Sequence, residues 1–252
     1  MAKFKSWLKK DWAETKLLFK GLPAFPFAIL CAALIVMNVL ANKLIVETSW
    51  LSLDAGIIVS WIAFLAGDML VKRFGPKAAL KINFAALGVQ FIAVVLLTIG
   101  GVLPTPAEDC LVTSLFGWSL YLPWAFSVGT LAFIVAILVD VFMNWAILKR
   151  FKNRTSFGAY AVASYASTMV AQFVDNFVFG LLFTYLAFGI PFSSLWLFAA
   201  AGAVVELVCQ IVLSPIGYKI SEKWRRDGVG QEYVDAVPEA QEVNKNGKEV
   251  GA

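Results

Sequence analysis

The sequence contains no histidine and few charged residues. Histidine is the commonest general base and metal ligand, so its absence argues against a hydrolase or a metalloenzyme. Water-soluble domains carry about 25% charged residues. Here the charged fraction is 15%, the hydrophobic fraction is 60% and the mean hydropathy is +0.77. This composition predicts an integral membrane protein.

Cysteine is also scarce, and nucleotide-binding motifs are missing. Cys31, Cys110 and Cys209 form an odd, scattered set that fits neither a disulfide framework nor the spacing of metal ligands. Any use of ATP would have to come from partner subunits, because no Walker sequence occurs. We therefore expect no cofactor, no metal site and no soluble catalytic domain.

Long apolar runs fill most of the chain. A helix needs about 20 residues to cross a bilayer. The runs of suitable length are 25–44, 53–71, 81–103, 122–148, 159–187 and 195–216. The expected fold is all-α, with six transmembrane helices in one multi-pass domain at 23–218.

Lysine and arginine are confined to alternate junctions. Of the 21, all but Lys43 lie before the first span, in 72–81, in 149–154 or after residue 216. The loops 45–52, 104–121 and 188–194 contain none. Because cytoplasmic loops are enriched in these residues, both termini are expected to be cytoplasmic.

The two ends of the chain differ in pattern. Residues 1–22 combine lysines with Phe4, Trp7, Leu8 and Trp12 at helical spacing, which predicts an amphipathic helix on an anionic membrane surface. Residues 219–252 are polar without an apolar period, and we expect a disordered cytoplasmic tail.

A polar stripe interrupts the fifth span. Tyr165, Thr168, Gln172, Asp175 and Asn176 recur at helical spacing and share one face. An ionisable side chain at membrane depth suggests a functional site. The alternative is that Asp175 only hydrogen-bonds a neighbouring helix.

Other spans carry polar residues as well. In the first span, Asn38 and Asn42 share a face, and Lys43 follows them. Lys43 either faces Asp175 or a ligand, or extends to the outer headgroups. In the last span, Glu206 precedes Gln210 by one turn, where a helix-to-helix hydrogen bond would also explain the carboxyl group.

Two further carboxylates lie nearer the cytoplasm. Asp140 and Asn144 are one turn apart in the fourth span, and the nearby arginines of 149–154 offer a structural explanation for Asp140. Asp68 precedes Lys72 by one turn, so an ion pair between these two residues at a helix end would explain the carboxylate in this span.

The charge balance of the membrane interior favours a particular ligand class. Four carboxylates stand against one lysine, so a cavity there should be negative or partly protonated. Such a cavity suits a ligand with hydrogen-bond donors or positive charge, or a coupling proton or cation. Trp61 could stack on a planar ring, although aromatic residues in spans more often pack against lipid or protein.

Several of these residues stand in a familiar order. They are Asn38 to Lys43, then Gly67 and Asp68 followed by Phe74 to Ala79, then Ser167 to Phe177, and finally Ser214 with Pro215. Over about residues 30–220 the chain resembles the vitamin uptake transporters, also called queuosine precursor transporters. The resemblance implies a six-helix protein of the bacterial inner membrane that imports 7-deazaguanine precursors and is not an enzyme.

The resemblance also implies a substrate site. Gln172 and Asp175 would line it, opposite Asn38, Asn42 and Lys43. Together with the interior polar residues, the expected lining is Asn38, Asn42, Lys43, Trp61, Asp140, Asn144, Gln172, Asp175, Asn176 and Glu206.

The chain departs from the family pattern at several positions. Val71 and Lys72 stand where the family usually has threonine and glutamate, and Ala163 replaces a common arginine. Glu206 and Gln210 replace a family lysine and glutamate. These changes bear on the substrate more than on the fold.

Other functions remain open from the sequence. One alternative is the substrate-binding subunit of an energy-coupling-factor transporter, for which Ala28 and Ala32 offer a small-residue docking face. The junction from Gly67 to Lys77 also resembles a loop of major facilitator transporters, and a membrane-embedded enzyme could use paired carboxylates. The expected partners are a small molecule, the bilayer and a coupling ion; a homodimer stays open, and nothing points to nucleic acid.

Overall fold

The structure is a computed structural model that describes residues 2–48, 52–105, 111–117, 120–186 and 191–244. Its first half comprises α1 (Ala2–Gly21), α2 (Ala24–Leu40), β1 (Leu44–Glu47), β2 (Ser52–Asp54), α3 (Ile57–Phe74), α4 (Pro76–Val102) and α5 (Leu111–Phe116). Its second half comprises α6 (Tyr121–Leu148), α7 (Phe157–Phe179), a π-helical turn (Gly180–Tyr185), α8 (Phe192–Arg226), α9 (Gln231–Ala236) and α10 (Pro238–Val243). Cys110 lies outside the described residues.

The membrane-spanning character is confirmed, and the number of spans stays a prediction. Four described helices are long and apolar enough to cross a bilayer: α4, α6, α8, and α7 with its π-helical extension. A fifth is added if α1 and α2, bent by 100°, count as one span. The other two predicted spans are less suited to cross a bilayer on their own. The helix α2 has only 17 residues, and α3 carries three charged residues, Asp68, Lys72 and Arg73.

The first two predicted spans are shorter than expected because a hairpin separates them. The predicted runs end at residue 44 and begin at residue 53, whereas α2 ends at Leu40 and α3 begins at Ile57. Between them, β1 and β2 pair antiparallel, with Val46 opposite Leu53. Their β-branched residues favour strands. We call this side of the bundle the hairpin end and the opposite side, with Arg73 and the junction 149–154, the basic end.

The centre of the bundle is α3. It packs against α2, α4, α6 and α8, while α7 packs between α6 and α8. From Ala63 to Phe74 nearly every residue of α3 is buried. Large apolar side chains such as Phe91, Leu96 and Val212 are exposed on the outer helices, as expected for a surface in contact with lipid.

The amphipathic helix α1 lies across the basic end. Its aromatic residues Phe4, Trp7 and Trp12 are exposed, and its acidic residues face α4. Asp11 Oδ1 lies 2.9 Å from the ammonium groups of both Lys77 and Lys81. Hydrogen bonds from these two lysines lower the pKa of Asp11 below its usual value.

The C-terminal region differs from the disordered tail expected over 219–252. The last long helix, α8, continues to Arg226, and α9 and α10 follow. Tyr233, Val234, Val237, Ala240 and Val243 are buried. Their apolar spacing spans only two short helices, so the pattern is weak in the sequence. The helices are stabilised by packing, α9 mainly on α1 and α10 mainly on α3. Residues 245–252 lie outside the described residues.

A buried arginine connects this region to the end of α3. The Arg73 side chain is 2% exposed. It donates to the backbone oxygen of Val229 at 2.7 Å, to Gln231 Oε1 at 3.0 Å and to Asn244 Oδ1 at 3.1 Å. In return, Asn244 Nδ2 donates to the backbone oxygen of Arg73 at 2.9 Å. The segment after α8 thus contributes to closing the basic end, through its hydrogen bonds with Arg73.

Candidate functional site

A small cavity lies inside the bundle near the hairpin end. Its volume is about 40 Å³, roughly the space of one water molecule in the liquid. It is lined by Met37, Asn38, Ala41, Asp54, Gly56, Ile57, Ser60, Gly129, Asp175, Asn176, Phe179 and Glu206. Three carboxyl groups and two amides face it, and the described lining includes no lysine or arginine.

Glu206 is held in place from two helices. Ser60 Oγ on α3 hydrogen-bonds Glu206 Oε1, and Asn176 Nδ2 on α7 donates to Oε2 at 3.0 Å. Asn176 can reach this position because Gly202 on α8 has no side chain. A Cβ at Gly202 would lie 2.7 Å from Asn176 Nδ2, closer than such atoms can approach.

Asp175 is held differently from Glu206. Its side chain lines the cavity, and Oδ1 is buried without a hydrogen-bond partner among the described residues. A buried acceptor without a donor costs free energy. Asp175 therefore has acceptor capacity left for a ligand, whereas Asp54 Oδ1 accepts from the backbone nitrogen of Gly56 at 2.7 Å.

Asn38 faces the cavity from α2. Its Nδ2 donates to the backbone oxygen of Leu34 at 2.9 Å and approaches Gln90 Oε1 at 3.5 Å. The amide oxygen occupies the space over Gly129 on α6, where a Cβ would lie 1.8 Å away. Gly129 and Gly202 therefore position the two cavity amides, a role that sequence periodicity alone does not reveal.

A second polar cluster lies deeper, toward the basic end, and is here called the inner cluster. Its members are Asp68, Asp140, Asn144, Ser164, Ser167, Thr168 and Gln210, all buried. Asp68 accepts hydrogen bonds from Asn144 and Ser164, from Gln210 Nε2 at 2.5 Å and, at 3.5 Å, from Thr168 Oγ1. Asp140 Oδ1 accepts one from Ser167 at 2.6 Å.

The structure overturns the local explanation for Asp68. Lys72 follows it by one turn but points elsewhere: its Nζ donates to the backbone oxygen of Thr155 at 3.0 Å and lies 3.3 Å from Glu222 Oε1. The partners of Asp68 come from three other helices, at sequence separations of 76 to 142. Helical periodicity cannot reveal such partners.

Gln172 lies on α7 between the cavity and the inner cluster. It is one turn from Thr168 and one turn from Asn176, and it is fully buried. Neither its amide oxygen nor its nitrogen has a hydrogen-bond partner among the described residues.

The predicted lining divides into four parts. Asn38, Asp175, Asn176 and Glu206 line the cavity. Asp140 and Asn144 belong to the inner cluster, and Gln172 lies between the two. The others stand apart: Asn42 bonds its own helix through the backbone oxygen of Asn38 at 2.9 Å, Lys43 is exposed at the start of the hairpin, and Trp61 bonds the backbone oxygen of Ile58 at 2.8 Å.

Of the two alternatives for Lys43, the one in which it faces Asp175 is therefore not seen. The helix α2 ends at Leu40, so Lys43 belongs to the turn that leads into β1 rather than to a helix face. Sequence reasoning also missed Asp54 and Ser60. Asp54 ends β2 over the cavity, whereas the sequence assigns it to the start of the second predicted span.

Comparison with known proteins decides the family. A family model described as "Putative vitamin uptake transporter" matches residues 54–220, more than half of the chain. The chain belongs to this family. No match was found among curated proteins or among solved structures.

Membership in the vitamin uptake transporters confirms the family resemblance, over a shorter range. The match begins at residue 54, so the motif from Asn38 to Lys43 lies outside it. It includes Asp68, Asp140, Asp175 and Glu206, and with them most of the cavity and the whole inner cluster. A family of transporters also agrees with the expectation that the protein is not an enzyme.

Proposed function

We propose that the protein imports a small planar heterocycle across the bacterial inner membrane as a symporter. In this proposal the cargo is a 7-deazaguanine precursor of queuosine, and the chain forms six spans with both termini cytoplasmic. The observation that carries the proposal is Asp175, with an unsatisfied carboxylate oxygen in a cavity without a described cation.

The chemistry of the cavity supports a donor-rich ligand. A guanine-like edge presents adjacent N–H donors, which one carboxylate can accept in parallel. Charge-assisted hydrogen bonds of this kind are about twice as strong as neutral ones. Asp175 has the free acceptor for this contact, whereas both oxygens of Glu206 already have donors. The site should therefore favour a neutral or cationic heterocycle over an anion.

The size of the cavity indicates a closed conformation. Pockets for small ligands usually measure about 300–1,000 Å³, and this one measures about 40 Å³. A bicyclic base needs the helices around the cavity to separate, as in transporters that open alternately to either side of the membrane. Two lining residues of the cavity connect it to the hairpin end. Asp54 is the last residue of β2, and Phe179 directly precedes the π-helical turn (Gly180–Tyr185). Opening of the bundle at the hairpin end would therefore expose the site.

Ligand preference provides the direct test. We expect purified protein to bind queuine, a 7-deazaguanine base, and not pantothenate, an anionic vitamin, in isothermal titration calorimetry. The reason is the cation-free lining with its carboxylate acceptors. Tight binding of pantothenate with no binding of queuine would overturn both the electrostatic argument and the proposed cargo.

Cysteine labelling tests the topology. A cysteine placed at Thr113, in the short helix α5 of the loop between the third and fourth predicted spans, should react with an impermeant maleimide in intact cells when Cys110 is first replaced by serine. The expectation rests on the absence of lysine and arginine from 104–121. Labelling that requires permeabilised cells would reverse the orientation.

A second candidate is the substrate-binding subunit of an energy-coupling-factor transporter. Ala28 and Ala32 on α2 are both exposed and leave a small-residue face on which another subunit could pack. Purification from the native membrane distinguishes the candidates, since ATPase subunits should co-purify with such a subunit and not with a symporter.

A further inference from the structure

The inner cluster contains two carboxyl groups in unlike surroundings. Asp68 and Asp140 are both fully buried. Asp68 accepts from donors on α6, α7 and α8, whereas Asp140 accepts only from Ser167, and its Oδ2 is buried without a partner among the described residues. A fully ionised carboxylate needs several donors to replace water, so only Asp68 is equipped to remain an anion.

The two carboxyl groups are close neighbours. Asp140 Oδ2 lies 3.6 Å from the position that a Cβ on Gly67 would occupy, directly beside Asp68 on α3. The hydroxyl donors to the two carboxyl groups also come from one turn of α7, because Ser167 donates to Asp140 and Ser164, three residues earlier, donates to Asp68.

The other ionisable groups around the pair do not neutralise it. On α3, Lys72 bonds Thr155 and Glu222. On α4, Lys77 and Lys81 pair with α1. Arg73, also on α3, bonds the C-terminal region. Tyr160 and Tyr165 on α7 and Glu206 and Tyr218 on α8 carry no positive charge, and Asp175 on α7 faces the cavity. The basic residues of α8 are Lys219, Lys223, Arg225 and Arg226, all in its last two turns at the basic end. Among the described residues, α2 and the middle of α6 add no other charged group.

Two adjacent anions without a cation would be very costly inside the bundle. The pair avoids this cost by holding one proton. The unpartnered Asp140 Oδ2 is the atom that can carry it, since Oδ1 continues to accept from Ser167. Asp68 keeps its negative charge and its donors.

Gln172 connects this pair to the cavity. Its amide lacks partners at both atoms and lies one turn from Thr168 in the inner cluster and one turn from Asn176 at the cavity. An amide both donates and accepts, so water entering an opened bundle could bridge through it.

We propose that Asp68 and Asp140 form the proton site of the transporter, loaded from the hairpin end and emptied toward the basic end. The assignment of the proton as coupling ion rests on the proposed transport function. On loading, an O–H bond of hydronium in external water breaks as the O–H bond of Asp140 Oδ2 forms. On release, the Asp140 O–H bond breaks as a hydronium O–H bond forms in cytoplasmic water, while water admitted by the opened bundle solvates the second anion. Asp68 stays ionised throughout.

The first test needs no substrate. Infrared spectra of the full-length protein in liposomes should show a protonated carboxyl band that Asp140→Asn removes and Asp140→Glu restores at a shifted frequency. Asp227→Asn, at an exposed position after α8, is the matched control and should leave the band unchanged. A spectrum that Asp140→Asn does not alter overturns the proton site.

The second test measures coupling. In liposomes with an imposed pH gradient, one coupled proton allows the wild type to accumulate queuine up to about tenfold per pH unit. Asp140→Asn, which imitates the protonated acid, should lose this accumulation while queuine exchange between the two sides falls much less. If the wild type accumulates queuine equally with and without the pH gradient, the proton is not the coupling ion. If the wild type does not exchange queuine at all, the proposed function is wrong. The proton site is then tested by the infrared band, which does not depend on the substrate.

Discussion

Asp175→Asn is expected to abolish uptake while the protein still inserts into the membrane. The substitution removes the charge behind the charge-assisted hydrogen bonds, which contribute about 1.5–3 kcal/mol each. Losing one such bond weakens ligand binding about 10- to 150-fold. The asparagine also points an N–H donor at the donors of a guanine-like edge. Insertion should not suffer, since an amide is less costly to bury than a carboxylate.

The measurement is uptake of labelled queuine by cells at equal protein expression, with binding to purified protein as a second readout. Asp235→Asn on the exposed face of α9 makes the same chemical change away from the bundle and should transport normally. Undiminished uptake by Asp175→Asn would remove Asp175 from the substrate site.

Arg73→Met is expected to cause the largest loss of stability. Methionine keeps much of the apolar volume but leaves the backbone oxygen of Val229 and the side-chain oxygens of Gln231 and Asn244 without their donor. Losing hydrogen bonds to a charged group at a buried site costs about 3 kcal/mol. For a chain of this size that corresponds to a Tm lower by about 6–12 °C.

Thermal unfolding of the purified protein in detergent measures this effect. Arg226→Met is the control, because Arg226 lies exposed at the end of α8. Asn244→Ala should act in the same direction as Arg73→Met, since it removes the partner on the other side. A Tm for Arg73→Met equal to that of Arg226→Met would show that the arginine does not hold the C-terminal helices.

Local periodicity predicted the polar cavity residues of α2, α7 and the last long helix, and contacts between distant segments escaped it. Asp175 and Asn176 were recognised because helical spacing puts them on one face with Gln172. Ser60, which binds Glu206 from 146 positions away, leaves no periodic signal. The same limit explains why Asp68 was paired with Lys72.

The structure of the irregular segments was also not predicted from the sequence. The hairpin at β1 and β2 occupies the predicted loop 45–52 and extends into the ends of both neighbouring predicted spans, which removes Lys43 from the cavity. The helices α9 and α10 have six residues each, too short to be stable without the packing surfaces of α1 and α3. Such elements depend on tertiary contacts that a sequence window does not contain.

The contact between Arg73 and the C-terminal region also sets an order of events during synthesis. Arg73 and Val229 are 156 positions apart, and a ribosome adds about 5–20 residues per second. For roughly 8–30 seconds the guanidinium therefore exists without the groups that will bind it. Through that interval the end of α3 must stay hydrated, and the bundle becomes complete only when the last helices leave the ribosome. A nascent chain stalled before residue 229 should accordingly be a better substrate for membrane proteases than the finished protein.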